Sequence, residues 1–412
     1  MKALVLAGGF PQIDLLNELR DRGISTILAD YYAEPVAKPY ADKFYQVSTL
    51  DIEAITNVAK SENVDFLITV CTDQALLTVA KVSEDLSLPC YIDYQTGLNV
   101  TNKSYMKKVF AENAIPSAKH VIMETLDENQ LAGMKYPLIV KPVDCNSSKG
   151  VVKVLCRNEL INAFNKAVEY SRTKTAIVEE FVEGIELSVD VYVEQGKAHV
   201  LSVTNSDKIQ DNQKFVIFRS KYPVVRSAVV NKKIAEASQR IADAFGIKNS
   251  PMLIQLIVRD EDIFILEFSA RTGGGVKHKL IERICGFDVI KAVVDLTLGE
   301  IPHLEIKPPQ NKYIVDEFIY CHPGIFEKLE GFDELVEDGT MSNYFLFKWS
   351  GAVFNTIENS GDRIAGFTIQ ADSIEDLKKK HCTVNRRIKA IDKNGADMIR
   401  HDLLTNIEYD FI

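Results

Sequence analysis

The chain has 412 residues, 46% hydrophobic and 26% charged, with a net charge of −10, enough for two or three globular domains with ample core. That negative balance, with no dense Lys/Arg block apart from Lys378 to Lys380, excludes nucleic acid as a bulk partner. The 7 cysteines form no Cys-x-x-Cys pair and read as reduced thiols; with no membrane-length apolar run and no secretory signal at Met1 to Gly9, a cytoplasmic chain without membrane contact is expected.

In chain order, the first hundred residues alternate between strand and helix patterns. Strands are predicted at Ala3 to Ala7, Ser25 to Asp30 and Val64 to Val70, and helices at Ile13 to Arg20, Asp51 to Ser61 and Asp73 to Glu84. Such alternation means a parallel sheet with helices on its faces. Gly8-Gly9 followed by Asp30 touches on a dinucleotide site, but Phe10 and Ile13 break the G-x-G-x-x-G pattern, so the two glycines read as a turn facing a substrate. A dehydrogenase reading rests on these residues alone.

After a boundary near Gln95 to Thr101, Lys103 stands at the start of a helix ending at Asn113-Ala114-Ile115-Pro116. An apolar strand, Tyr136 to Pro142, ends in Lys141, a position costly for a lysine unless its ammonium meets an anion. The following loop, Cys145 to Gly150, is small and polar and suited to laying backbone N–H groups over phosphate oxygens. Next, a strand over Ala176 to Glu179 leads into Glu180-Phe181-Val182-Glu183-Gly184, and Glu186 opens a strand running through Leu187 to Val193. An apolar hinge flanked by carboxylates suits an adenine edge and ribose hydroxyls.

Residues 255 to 275 read as a hairpin, with Ile254, Leu256 and Val258 on one strand and Ile263 to Phe268 on the other. Period-2 alternation points Glu267 and Ser269 to one face, where Gln255 can join them from the partner strand. Three such oxygen ligands suit a hard cation such as Mg2+. Arg271 and Gly273-Gly274-Gly275 follow, a fixed positive charge beside flexible backbone.

Together these segments resemble the ATP-grasp superfamily of carboxylate–amine ligases over about residues 95 to 305, with L-amino acid ligases, carbamoyl-phosphate synthetase-like and biotin carboxylase-like proteins as members. The resemblance implies a mixed α/β and α+β fold. Its parts are a Rossmann-like N-terminal domain (1–100), an ATP-grasp domain (101–305) with a lid (116–185) and an antiparallel core (186–305), and a C-terminal α+β domain (306–412). Lys103 and Lys141 are implied phosphate-contacting lysines, and Asn146 to Gly150, with Ser147, Ser148 and Gly150, the phosphate lid. Glu179 and the backbone of Glu180 and Val182 match the adenine hinge, and Glu186 the ribose-binding acid. Gln255 and Glu267 match metal ligands, with Ser269 standing where most members have asparagine. Arg271 matches the catalytic arginine that contacts the transferring phosphoryl group or the carboxylate. ATP and Mg2+ are the implied cofactors, with one or two ions and Mn2+ able to substitute.

The implied reaction joins a small-molecule carboxylate to an amine through an acyl phosphate, releasing ADP and phosphate. An amino acid paired with a second amino acid or small amine is the expected substrate set, and a homodimer is left open. Arg271 or the N–H groups of Gly273 to Gly275 would hold the oxyanion. Substrate candidates are Arg219, Tyr222, Gly273, Gly274, Lys277 and His278. The alternatives are a purine-pathway or carboxylating ligase using formate or bicarbonate, and a nucleotide-binding protein without turnover, which Ser269 keeps open. The last segment, with strands near Tyr313 to Tyr320 and Tyr344 to Phe347, a strand–turn–strand over Gly361 to Ala371 and a helix over Ser373 to Lys380, also resembles the C-terminal domain of these ligases. Part of that likeness is the phrase Ser360-Gly361-Asp362-Arg363-Ile364-Ala365-Gly366. It is expected to wall off the amine side of the pocket, with Trp349 in its core.

Overall fold

The computed structural model describes residues 1–145, 149–209, 216–405 and 407–409. Four short strands, β1 (Lys2–Leu6), β2 (Ser25–Asp30), β3 (Lys43–Gln46) and β4 (Phe66–Ile68), form a parallel sheet in the order β3-β2-β1-β4. β1 is apolar on both faces because both are covered. Ala3 and Val5 pack against Leu15, Leu16 and Leu19 of helix α1 (Phe10–Asp21), whereas Leu4 and Leu6 meet α2 (Ile52–Glu62) and α3 (Asp73–Leu86). The Asp30 carboxylate accepts from the N–H groups of Gly8, at 2.6 Å, and Tyr32. It therefore closes the first turn of the sheet and is engaged by the chain's own backbone.

Helices α4 (Tyr94–Thr101) and α5 (Lys103–Glu112) lead into a four-stranded antiparallel sheet. Its strands are β5 (His120–Met123), β6 (Leu138–Pro142), β7 (Val152–Val154) and β8 (Ala176–Glu180), in the order β5-β8-β6-β7, backed by α6 (Arg157–Tyr170).

The largest sheet has eight strands. Its first five in the chain are β9 (Ile185–Glu194), β10 (Lys197–Ile209), β11 (Val216–Tyr222), β12 (Ser250–Arg259) and β13 (Asp262–Ser269). Helices α7 (Ala228–Ala244), α8 (Lys277–Cys285) and α9 (Val289–Thr297) pack on it, and α9 also covers the N-terminal sheet through Ile290, Val293 and Val294. The last hundred residues supply β14 (Tyr313–Ile319), β15 (Gly324–Glu330), α10 (Phe332–Glu337), β16 (Asn343–Leu346), β17 (Val353–Phe354), β18 (Ala365–Ala371), α11 (Ile374–Arg387) and β19 (Lys389–Asp392). The large sheet runs β13-β12-β9-β10-β11-β14-β18-β16, so it continues from the core into the C-terminal segment without a break. In place of a strand–turn–strand before Ala371, a single turn of 3-10 helix at Ser360–Asp362 precedes one strand.

Strand alternation corrects the expectation for Arg219. Ser220 lies directly opposite Asp316 on one face of the β11–β14 pair, and Arg219 lies opposite Glu317 on the other. Arg219 is 1% exposed; it donates to Glu317 at 2.7 Å and to Asp207 at 3.2 Å, while His381 of α11 sits 2.7 Å from the second Glu317 oxygen. The arginine thus fastens the C-terminal helix to the back of the sheet. Arg219→Leu would leave Glu317 buried without its main counter-charge, and is expected to lower unfolding free energy by about 3–5 kcal/mol in urea titration.

Candidate active site

Between the four-stranded sheet and the edge of the large one lies a cavity of about 140 Å³. The strand β6 builds one wall by alternation: Leu138 and Val140 turn into the hydrophobic cluster under α6, and Ile139 and Lys141 turn toward the cavity. The Lys141 ammonium lies 2.6 Å from one oxygen of Glu179, whose other oxygen lies 2.8 Å from Lys107, a lysine on α5 with 0% of its side chain exposed. Burial would raise the Glu179 carboxyl, but the two lysines outweigh it and hold it down at about 2. Glu180, Phe181 and Val182 line the cavity beside Glu186, which pairs with Lys208 at 2.5 Å. Gly150 has φ +74°, and a Cβ there would stand 2.8 Å from the Tyr170 ring, so the loop entering β7 needs glycine at this point. Ser147 and Ser148 lie outside the described residues.

The cavity meets a second one, of about 400 Å³, at Lys103, Gln255 and Glu267, which line both. Gln255 and Glu267 are directly paired across β12 and β13, and Ser269 occupies the next position on the same face. The Asn102 side chain caps α5 by accepting from the N–H groups of Ser104 and Tyr105, which puts Lys103 on the first turn. Its ammonium lies 3.0 Å from Glu267 and donates to the Cys145 carbonyl at 2.8 Å. Burial works against the charge of both partners, yet their mutual attraction prevails: Lys103 is pushed up and Glu267 down.

One carboxylate and one amide oxygen make a partial donor set. Among the described residues no cluster of three or more His, Cys, Asp or Glu side chains forms a metal cage. Such a set fits Mg2+, which takes one or two protein carboxylates and completes its shell with phosphate and water oxygens. The Ser269 hydroxyl hydrogen-bonds to Asp73, so its donor proton is directed away from any such cation.

Arg271 is held from the N-terminal domain. Its Nε donates to Asp73 Oδ1 at 2.7 Å and a second N–H group to Oδ2, a bidentate pair at the start of α3. Burial would raise the Asp73 carboxyl, but the guanidinium keeps it low. Beyond Arg271, Gly273 to Gly275 line the larger cavity and lead into α8. A Cβ on Gly273 would stand 2.8 Å from Lys277, whose ammonium donates to Thr204 at 2.5 Å and lies 3.7 Å from Asp190. His278 turns the other way, 2.7 Å from Asp14 of α1, and so ties α8 to the N-terminal domain instead of facing the cavity. Tyr222 packs with the apolar side of α8 and α9.

Three functional candidates escaped the sequence reading. Asp73 had a usable signal, an acid just past the carboxyl end of a parallel strand, where such sheets place ligands. Arg363 stood in a phrase already noted; its guanidinium lies 3.8 Å over the Phe318 ring and donates to Tyr320 at 3.0 Å. It lines both the larger cavity and an adjoining one of about 270 Å³ that also touches Gly9 and Lys348. Lys107 had no signal, because a lysine inside an amphipathic helix ordinarily reads as solvated. Cys71 lines the same junction, but burial pushes its thiol up to about 12, which leaves it un-ionised.

Residues 134–279 match the model of the ATP-grasp domain family. The formate-dependent phosphoribosylglycinamide formyltransferase of Sulfurisphaera tokodaii is 26% identical over 286 residues, covering 66% of this chain and 70% of that protein. The arginine-specific carbamoyl phosphate synthase large chain of Bacillus subtilis is 23% identical over 289 residues, 68% of this chain and 27% of that one. The chain spans only 13 to 27% of the length of the first curated relatives it matches. In fold, it is similar to the L-amino acid ligase of Bacillus licheniformis, with a TM-score of 0.79 at 22% identity over 95% of this chain and 99% of that one.

The Glu179 triad carries a pH signature. A carboxyl whose folded pKa is depressed stabilises the protein above its unfolded value and loses that contribution as pH falls through the folded value. Glu179→Gln is therefore expected to cost about 3–5 kcal/mol at pH 7. In denaturant titrations the gap from wild type should close between the ordinary value of 4.5 and about 2.

Proposed function

We propose that the chain, whose residues 134–279 match the ATP-grasp domain model, is an ATP-dependent carboxylate–amine ligase. Its substrates in this reading are an amino acid and a second amino acid or small amine. The observation that carries the reading is the junction of two cavities at Lys103, Gln255 and Glu267. One side suits a nucleotide, the other is large enough for an organic substrate, and the charged groups stand where the two would meet.

The steps follow from charge. Phosphate oxygens approaching Lys103 and Lys141 find ammonium groups already desolvated, which strengthens the attraction. Gln255 and Glu267 would hold a Mg2+ or Mn2+ ion, which would supply further charge neutralisation. Arg271, oriented by Asp73, draws the substrate carboxylate toward the terminal phosphoryl group and offsets the repulsion between the two anions. A carboxylate oxygen attacks phosphorus, ADP leaves, and an acyl phosphate forms. The amine nitrogen, arriving unprotonated, then attacks the carbonyl carbon while the N–H groups of Gly273 to Gly275 face the developing oxyanion, and phosphate departs with the bonding pair and takes up the proton the nitrogen loses. Water must be kept out until then, a task this reading gives to the four-stranded sheet and its loop.

A volume of about 400 Å³ supports an amino-acid-sized substrate over formate or bicarbonate, since sites for small organic ligands begin at roughly 300 Å³. Phosphate release measured with ATP, Mg2+ and amino acids in pairs should appear only when both carboxylate and amine are present. ATP binding without release for any carboxylate would remove the enzyme reading. Glu267→Gln is expected to reduce kcat at least about 100-fold. Asp73→Asn should lower kcat by roughly tenfold or more while leaving the KM for ATP within about twofold, since it acts chiefly through the aim of Arg271.

A further inference from the structure

The face of the large sheet beneath the substrate cavity carries one transverse line of polar side chains. Strand register places Glu267 opposite Gln255, Gln255 opposite Ser188, and Ser188 opposite Thr204. Two residues along β10, Ser206 lies opposite Ser220, and Ser220 lies opposite Asp316. Directly paired residues share a face, so this line is a continuous floor from the metal-binding pair to an acid on β14. Ser188, Ser206, Ser220 and Asp316 all line the cavity.

Asp316 is not neutralised as the other acids are. It is 1% exposed; its Oδ1 accepts from the Thr368 hydroxyl at 2.5 Å, and its buried Oδ2 has no hydrogen-bond partner among the described residues. The neighbouring cations are engaged elsewhere: Lys277 with Thr204 and Asp190, and Arg283 with the Thr368 hydroxyl at 3.4 Å. Burial consequently pushes the Asp316 carboxyl up, against Thr368 and Arg283. A buried carboxylate oxygen without a donor is costly, and the cost is relieved when a ligand brings one.

Resting on the ligase reading, we infer that Asp316 recognises an alkylammonium or guanidinium group carried by the substrate several bonds away from its reacting atoms. The separation follows from the sheet. In the order β12-β9-β10-β11-β14, Asp316 stands four strands from Gln255, and at about 4.8 Å per strand that is ~19 Å across a flat sheet, somewhat less with twist. An α-ammonium, one carbon away from the carboxylate being activated, does not span that floor. With the phosphoryl group and its cation filling the Gln255 end of the floor, a basic side chain or the far terminus of a longer amine extends from the carboxylate toward Asp316.

The test is charge selectivity in the full chain, read as ATP-dependent phosphate release with L-lysine, L-ornithine or L-arginine against L-norleucine, each paired with the other amino acids. Wild type is expected to favour at least one basic amino acid over norleucine by at least about tenfold in kcat/KM. Asp316→Asn should bring that ratio close to one, and Asp316→Glu should retain most of it, a pattern that loss of folded protein alone does not produce. A wild-type ratio near one, or a ratio unchanged in Asp316→Asn, overturns the inference while release with other amino acids leaves the ligase reading standing. No release with any amino acid removes both.

Discussion

The ion pair between Lys103 and Glu267, 3.0 Å apart, is the interaction on which the arrangement of the site depends. Each partner comes from a different element, the first turn of α5 and the end of β13, and each lines both the smaller and the larger cavity. Without the other, either charge would be stranded at a desolvated junction, so the pair fixes the helix against the sheet. It also sets the chemistry: the carboxylate that would hold a cation is kept ionised by the lysine that would hold a phosphate. In the proposed reaction a nucleotide phosphate and its cation would each meet the partner of opposite charge, in place of the attraction the two side chains now share.

The same logic of paired charge is repeated at two further places with different consequences. Behind the sheet, Arg219, Glu317 and His381 are closed off from the cavity, and their role is to join α11 to the strands. Under the four-stranded sheet, Glu179 is shared by Lys107 and Lys141. Lys107 completes the charge balance from the closed side, which leaves Lys141 oriented along the open one. A triad of this kind is a weak source of stability, since desolvation offsets much of the attraction. Its evident contribution is to hold Lys141 in one rotamer at the cavity wall.

Much of this was legible in the chain because backbone periodicity reports which side a residue takes. Gln255, Glu267 and Ser269 share a face, as the hairpin pattern required, and the alternation of Leu138 to Lys141 places the lysine at the cavity. The reading went wrong where that rule was not applied: Arg219 was chosen for its charge, although its neighbour Ser220 occupies the cavity side. In β10 the apolar–polar alternation of Leu201 to Thr204 is short, because Asn205 and Asp207 put polar residues on the second face as well and blur the strand pattern. Asp73 and His278 depend on contacts nearly two hundred or more residues away in sequence, and no local pattern encodes those. The unbroken passage of the large sheet into β14, β18 and β16 is equally non-local, because sheet order is decided by tertiary packing.

That continuity bears on how the site can move. The Asp73–Arg271 pair reaches from the N-terminal domain to the core, His278–Asp14 does so again, and Arg363 reaches from the C-terminal segment over Phe318. Three charged or stacked contacts therefore tie the surroundings of the larger cavity to the N-terminal sheet and the C-terminal segment. The four-stranded sheet differs: it is a separate sheet, joined to the large one through the segment Glu180 to Val182 and facing it across the smaller cavity. A reaction whose intermediate must be shielded from water needs one wall that can open and others that cannot. In the proposed reaction the contacts of Arg271, His278 and Arg363 would hold the carboxylate side in place, and opening on the other side would turn on the Glu179–Lys107 pair and the Lys103–Cys145 contact that join the four-stranded sheet to α5.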